Sequence, residues 1–112
     1  MAVQQQPGIR RTDLQQHELS VPGRQLIQAG VEFDEGYLSP NHTHFGEEII
    51  YVLEGTLEYD VEGQAPTTYT AGQALTVPAG AGHVVRNLGP GNGAELATYV
   101  VEIDKPLITL VS

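Results

Sequence analysis

Four side chains in the sequence have the types and spacing of metal ligands. His42 and His44 are two residues apart, so on an extended segment both imidazoles point to the same face. Glu48 follows, and the apolar residues two and four positions later indicate that it begins the inward row of the next strand. His83 lies far along the chain, just after a glycine-rich turn. If these groups converge, three imidazoles and one carboxylate would coordinate a divalent metal.

Each of these residues also has a purely structural interpretation. An isolated pair such as His42 and His44 is more often a solvated part of a loop. Glu48 could be a surface carboxylate like its neighbour Glu47, and His83 could merely cap a turn. The histidine pair alone therefore does not decide between the two interpretations.

The glycine and proline spacing around these residues resembles the two signature motifs of the cupin superfamily. Both motifs match at every defined position, so the chain resembles a small single-domain cupin of the conserved-barrel type. The resemblance covers residues 36–87 by motif and residues 24–103 by the rhythm of the strands. The matching residues are Gly36, His42, His44, Glu48 and Gly55 in the first motif, and Gly72, Pro78, Gly80, His83 and Asn87 in the second.

The resemblance implies both a fold and a ligand set. Cupins are all-β proteins whose two motifs form facing hairpins of a double-stranded β-helix, a jelly-roll-like barrel. The positions of His42, His44, Glu48 and His83 hold a metal at the centre of such barrels. We therefore expect one divalent transition metal here, with Mn, Fe, Ni and Zn all compatible with imidazole and carboxylate ligands. Asn87 is expected to bond loop backbone.

The resemblance leaves the reaction open, because one fold supports several chemistries. A four-ligand set leaves two octahedral positions for a small-molecule substrate or oxygen, and the first expectation is a quercetinase-like dioxygenase. One alternative is a non-oxidative Lewis-acid enzyme, such as an isomerase, decarboxylase, carbon–carbon lyase or cyclase. Another is a barrel that binds a small ligand without catalysis. Glu48 is the only motif carboxylate, and as a catalytic group it would take a proton only after partial release from the metal.

Residues outside the motifs supply fewer candidates. Phe45 adjoins His44 and is the best candidate for a substrate-pocket wall. Arg24 and Arg86 are two of the few cations; each would either meet an anionic substrate or, more simply, form a surface ion pair. The fourth histidine, His17, is expected to be exposed.

The elements that must position these residues are predicted to be strands. Short strand candidates recur about every 8–12 residues between turns rich in glycine and proline, and no segment has a sustained helical period. Residues 24–33 alternate apolar and polar side chains, which is typical of a strand with one buried face. This pattern predicts an all-β sandwich or barrel domain over residues 21–112. Residues 1–20 are expected to form an arm that is loose or pairs with a neighbouring subunit.

Composition excludes several function classes. The chain has 112 residues, with 5 Lys+Arg against 14 Asp+Glu and a net charge of -9. That balance argues against binding nucleic acid or an anionic membrane surface. The absence of cysteine excludes disulfides, thiolate metal sites and cysteine nucleophiles. No signal peptide or membrane-spanning segment is recognisable, so a cytoplasmic location is expected.

A homodimer is also expected. The resemblance implies it, since small cupins are commonly dimers that exchange edge strands. The alternating strand at residues 24–33 and the apolar tail at residues 106–111 are consistent with such an exchange, because an exposed apolar tail would otherwise favour aggregation.

Overall fold

Within residues 3–111, which this computed structural model describes, the regular secondary structure consists of β-strands. The strands are, in chain order, β1 (Val3–Gln6), β2 (Ile9–Glu18), β3 (Arg24–Phe33), β4 (His42–Thr43), β5 (Gly46–Glu54), β6 (Thr56–Val61), β7 (Thr67–Thr70), β8 (Ala74–Val77), β9 (His83–Asn87), β10 (Gly93–Glu102) and β11 (Thr109–Leu110). Six form an antiparallel sheet in the order β1-β2-β3-β10-β5-β8, and five form a second in the order β11-β4-β9-β6-β7. In this part of the chain, no helix has the length and apolar character needed to cross a membrane.

The two sheets pack face to face as a jelly-roll barrel, which confirms the predicted all-β class. Side chains from both sheets interdigitate in the core, because strand geometry sends alternate residues inward. The buried apolar cluster consists of Ala29, Val31, Phe33, Ile50, Val52, Leu57, Tyr59, Val61, Val77, Val85, Ala97, Tyr99 and Val101.

Strand β5 illustrates how sequence parity selects the inward face. Gly46, Glu48, Ile50 and Val52 are buried, whereas the residues between them are exposed. The alternation holds although both faces of β5 carry apolar side chains. The neighbour β10 fixes the register, with Tyr99 opposite Glu48. Glu48 therefore points into the barrel, as its parity predicted.

The segment expected to be an arm differs from that expectation. Residues 9–18 form β2, which pairs along its length with β3 of the same chain. The strand is mostly polar, and its ladder is reinforced by side-chain bonds from Gln15 to Gln28 at 2.9 Å and from Gln16 to Gln25 at 2.7 Å. Backbone and amide hydrogen bonding thus fixes a segment that has few apolar residues to bury. The first two residues lie outside the described part of the chain.

The two segments suggested for strand exchange are both paired within the chain. β3 is flanked by β2 and β10, so neither of its edges is free to accept a strand from another subunit. In the tail, Thr109 and Leu110 of β11 pair with Thr43 and His42 of β4. The tail thereby closes over the end of the barrel that carries the histidines.

Candidate metal centre

Strands β4 and β9 and the start of β5 bring three histidines together. His42 in β4 lies directly across from His83 in β9, and His44 follows in the turn towards β5. One ring nitrogen from each histidine lies within 4.8 Å of the others. His44 and His83 are buried, whereas His42 is partly exposed. These are the three histidines that the sequence predicted to converge.

Backbone carbonyls fix the tautomer of each histidine. A carbonyl oxygen can only accept a hydrogen bond, so each bonded Nδ1 carries the proton. In the neutral ring, Nε2 then keeps its lone pair and can bind a metal. The three bonds run from His42 Nδ1 to Pro40 O at 2.8 Å, from His44 Nδ1 to Leu107 O at 2.7 Å and from His83 Nδ1 to Ala81 O at 3.0 Å.

Glu48 completes the donor set from strand β5. Its Oε1 lies 3.1 Å from His44 Nε2 and 3.2 Å from His83 Nε2, and its side chain is buried. Burial alone would raise the pKa of Glu48, but the nearby rings of His44 and His83 outweigh it and lower the pKa to about 2. The carboxylate therefore stays ionised and available as a ligand.

The arrangement of these donors fits a divalent metal. His44 Nε2 is fully buried, yet its contact with Glu48 lacks hydrogen-bond geometry, so the atom has no partner among the described residues. An imidazole lone pair and a carboxylate oxygen repel each other at this distance unless a cation lies between them. Two ligands about 2.2 Å from one metal and at right angles are about 3.1 Å apart, close to the observed separations.

His42 is held neutral by its surroundings. Burial is the largest cause and nearby His83 the second, and together they lower the pKa of His42 to about 4. The bond to Pro40 and the charge of Glu48 act in the opposite direction but are weaker. At neutral pH the ring is therefore unprotonated, which is the form that binds a metal.

A cavity of about 250 Å³ opens beside the donors. His42, Glu48 and His83 form part of its wall, and apolar side chains such as Val31 and Phe33 form much of the rest. The volume lies just below the ~300–1,000 Å³ range of small-molecule pockets, so a ligand of a few carbon atoms would fit best.

The cavity also contains a buried acid pair that sequence reasoning missed. The Tyr59 hydroxyl donates a hydrogen bond to Glu95 Oε1, and both side chains line the cavity. Burial, reinforced by the charge of Glu48, raises the pKa of Glu95 to about 8. The alternation of side chains along β10 could have indicated that Glu95 is buried, because Glu95 points to the same inward face as Tyr99 and Val101.

The other sequence candidates lie away from this cavity. Phe45 is not among the residues that line it; the residue is 37% exposed, and Lys105 Nζ lies 5.3 Å from the centroid of its ring. Arg24 Nη1 donates to the carbonyl of Phe45 at 3.0 Å, and Arg86 Nε lies 3.8 Å from Glu58 Oε1 on the surface. Phe45 was expected in the pocket wall because it follows His44 in the sequence. Successive side chains of an extended segment point to opposite faces, however, so Phe45 points away from the cavity.

Comparison with known proteins identifies the family. The family described as Cupin domain matches residues 30–101, whereas no curated protein matches the sequence. KdgF from Halomonas sp. is 26% identical, with 93% of this chain and 90% of that chain covered and a TM-score of 0.75. An RmlC-like cupin from Shewanella frigidimarina is 24% identical, with 93% and 86% covered and a TM-score of 0.76.

A third structure, the DMSP lyase DddQ from Ruegeria pomeroyi, is 26% identical with a TM-score of 0.70. The match covers 77% of this chain but only 43% of the lyase. The family match spans both predicted motifs and the strands that carry the four donors. This chain belongs to the cupin family.

Proposed function

We propose that this cupin is a metal-dependent enzyme that transfers protons on a small carbonyl-containing substrate without consuming oxygen. The observation that carries the proposal is the Tyr59–Glu95 pair, which lines the same cavity as His42, Glu48 and His83. A buried acid beside a Lewis-acid site is the combination that isomerases, lyases and decarboxylases require.

The donors supply the first part of this chemistry. His42, His44, His83 and Glu48 would hold the divalent metal and leave two octahedral positions for substrate oxygens. When bound, such a metal polarises a carbonyl and acidifies the adjacent carbon. Glu48 serves as a ligand here and not as a base, because a carboxyl with a pKa of about 2 is a poor proton acceptor at neutral pH.

Glu95 and Tyr59 supply the proton transfer. Before the metal binds, burial and the charge of Glu48 raise the pKa of Glu95 to about 8, and a carboxyl whose pKa is raised towards neutral pH can both give and take a proton. Burial raises the pKa of Tyr59 well above its usual value, so its hydroxyl stays protonated and holds Glu95 in place. The apolar walls around the pair limit access of water to the transferred proton.

The dioxygenase expected from the sequence is the second candidate function. The four-donor set favours it equally, since the two remaining positions would also accept oxygen and an enol. The cavity volume is unfavourable, because about 250 Å³ is small for a three-ring flavonol. A quercetinase-like reaction would therefore need a smaller enolised substrate.

Deuterium exchange separates these functions without requiring the natural substrate. The metal-containing protein would be incubated in D₂O with pyruvate, 2-oxoglutarate and dihydroxyacetone, and deuterium at the carbon next to the carbonyl measured by NMR. Oxygen uptake would be recorded in parallel, with pentane-2,4-dione added to the panel as a small enolised diketone.

The proposed function predicts exchange with at least one of these carbonyl compounds and no oxygen uptake. Glu95→Gln should abolish the exchange and Tyr59→Phe should slow it about 10–100-fold, with metal content unchanged in both. Oxygen uptake without exchange would instead identify the dioxygenase. Binding of a compound with neither signal would identify a non-catalytic binding protein.

A further inference from the structure

We propose that Arg11 forms a carboxylate-binding subsite in the wall of the metal cavity, so that the substrate is a small organic acid whose carboxylate is remote from the group held at the metal. The inference rests on the proposed function for the metal centre and adds the chemical class of the substrate. It concerns a residue on β2, the strand that the sequence predicted to be an arm.

The position of Arg11 in the sheet directs its side chain inward. Arg11 pairs with Val31 of β3, a residue of the buried core, and the two side chains line the same cavity. Only 8% of Arg11 is exposed. Its neighbour Arg10 faces the other side of the strand, where it donates to Asp34 at 2.8 Å and to Asn92 at 3.0 Å. Two adjacent arginines thus have different environments.

Burying one of only five basic side chains in a chain of charge -9 is costly unless the cation has a partner. Arg11 Nε donates to Asp13 Oδ1 at 3.1 Å, but the Asp13 side chain is 85% exposed and therefore largely screened by solvent. A guanidinium has five N–H donors in a planar fork that matches a carboxylate. Its contacts with Asp13 and Tyr99 leave several of these donors for a ligand.

Tyr99 places Arg11 at a useful distance from the metal donors. The Arg11 guanidinium carbon lies 5.3 Å from the centroid of the Tyr99 ring, and the ring centroid of His44 lies 4.9 Å from the same ring. Arg11 and His44 thus contact the same ring, which brings the cation close to the metal centre. Because Arg11 and the donors His42, Glu48 and His83 line one cavity, a substrate of a few carbon atoms can have one end at the metal and a carboxylate at Arg11.

The charges in the cavity favour an anion. With a divalent cation at the centre, the ionised groups are the metal, Glu48 and Arg11, so the sum is positive. Glu95 adds no negative charge while its carboxyl is protonated. In a cavity of low polarity, the attraction between this positive charge and a carboxylate is screened less than it would be in bulk water. The net charge of -9 would slow the approach of the anion but not change this preference.

Malate and lactate provide a matched pair of probes. Both are 2-hydroxy acids with the same metal-binding end, but malate alone has a second carboxylate. Titration calorimetry with the metal-containing protein at 0.15 M salt should show that malate binds about tenfold or more tightly than lactate. Arg11→Gln should remove this preference by weakening the binding of malate and not that of lactate, and Arg11→Lys should retain part of the preference.

Arg10→Gln is the control, because it removes the adjacent cation from the outer face and should leave the preference unchanged. Equal affinity of the unmodified protein for the two acids would overturn the inference. An equal loss of affinity for both acids in Arg11→Gln would overturn it as well. Metal content is measured separately on each sample. Protein that never binds metal would refute the proposed function, whereas protein that binds metal but does not discriminate between the acids would refute only the Arg11 subsite.

Discussion

At the metal centre, each histidine uses its two ring nitrogens for different purposes. Nδ1 is committed to a backbone carbonyl, which fixes the ring, and Nε2 is left for the metal. The polypeptide therefore orients the ligands before any cation binds. Substitution of a ligand should consequently remove the metal without unfolding the barrel, because the carbonyls involved belong to turns and to the tail.

Replacement of His42 or His83 by alanine tests the ligand assignment. Each variant should lose most of its metal, since the three remaining donors bind a divalent cation much more weakly. Elemental analysis measures the metal, and circular dichroism checks that the barrel is intact. His17→Ala is the matched control, because His17 is exposed on β2 and should keep full occupancy. Full occupancy in His42→Ala and His83→Ala would refute the assignment.

At the scale of the elements, the close approach of β5 and β10 is what positions Glu48. Gly46 begins β5 with φ at 157°, and a Cβ there would lie 1.9 Å from the carbonyl oxygen of Val100 in β10. No side chain can adapt to this contact, because both partners are backbone. Gly46 therefore sets the distance between the strand that carries Glu48 and the strand that carries Glu95.

Gly46→Ala should destabilise the protein by about 3 kcal/mol, since the β5–β10 ladder must shift to admit a methyl group. Urea unfolding measures the change in free energy. Gly30→Ala is a matched control in the neighbouring strand β3, because a Cβ at Gly30 meets nothing within 4 Å. We expect Gly30→Ala to be neutral or slightly stabilising. Equal effects of the two substitutions would contradict the proposed role of Gly46.

For the whole molecule, the buried acid pair makes stability depend on pH. The pKa of Glu95 is raised to about 8 by burial and by Glu48, whereas in the unfolded chain it has its usual value near 4.5. Between these values the folded protein holds a proton that the unfolded chain releases. Stability from this group is therefore complete below about pH 4.5 and is lost as pH rises towards 8.

The metal-free protein should lose about 1.4 kcal/mol of stability per pH unit through Glu95 between pH 6.5 and 8. His42 opposes this slope only near pH 6.5, because its usual value of 6.5 lies at the lower end of the interval and its folded pKa of about 4 lies below it. Glu95→Gln should abolish the slope. Urea unfolding at several pH values measures both proteins, and parallel pH profiles would contradict the assigned pKa.

The expected homodimer stays a prediction, and the structure changes where it should be sought. β3 has no free edge, but β5 exposes an apolar row of Ile49, Tyr51 and Leu53 on the outside of the barrel. If two copies associate through this row, Tyr51→Lys should shift the mass measured by light scattering from dimer to monomer. Thr68→Lys on the other sheet should not. A monomeric unmodified protein would refute the prediction.

Sequence reasoning reached the features that are encoded locally. Motif spacing and the alternation of side chains along a strand predicted that His42, His44, His83 and Glu48 lie close together, and they do. Asn87 bonds backbone as expected, since its side-chain amide donates to the carbonyls of Phe33, Asp34 and Gly91. Features that depend on pairing between distant segments were missed.

Three of these missed features have a common cause. Tyr59 and Glu95 are 36 positions apart and meet only through the packing of the two sheets. Gly46 stands between His44 and Glu48 without being a motif position, yet the close approach of β10 requires it. The polar strand β2 lacks the alternating apolar residues by which a strand is predicted from sequence. Its place in the sheet depends on the hydrogen-bonding edge that β3 offers.

The carbonyl of Leu107 connects the C-terminal strand to the metal through thermodynamic linkage. His44 is oriented by Leu107, and β11 closes onto β4 just beyond it. Ordering of the tail and retention of the cation must then strengthen each other by the same factor. Metal loading should slow amide hydrogen exchange in residues 107–111, as mass spectrometry can measure. A partner that pulled this strand away would release the ion without touching any of its ligands.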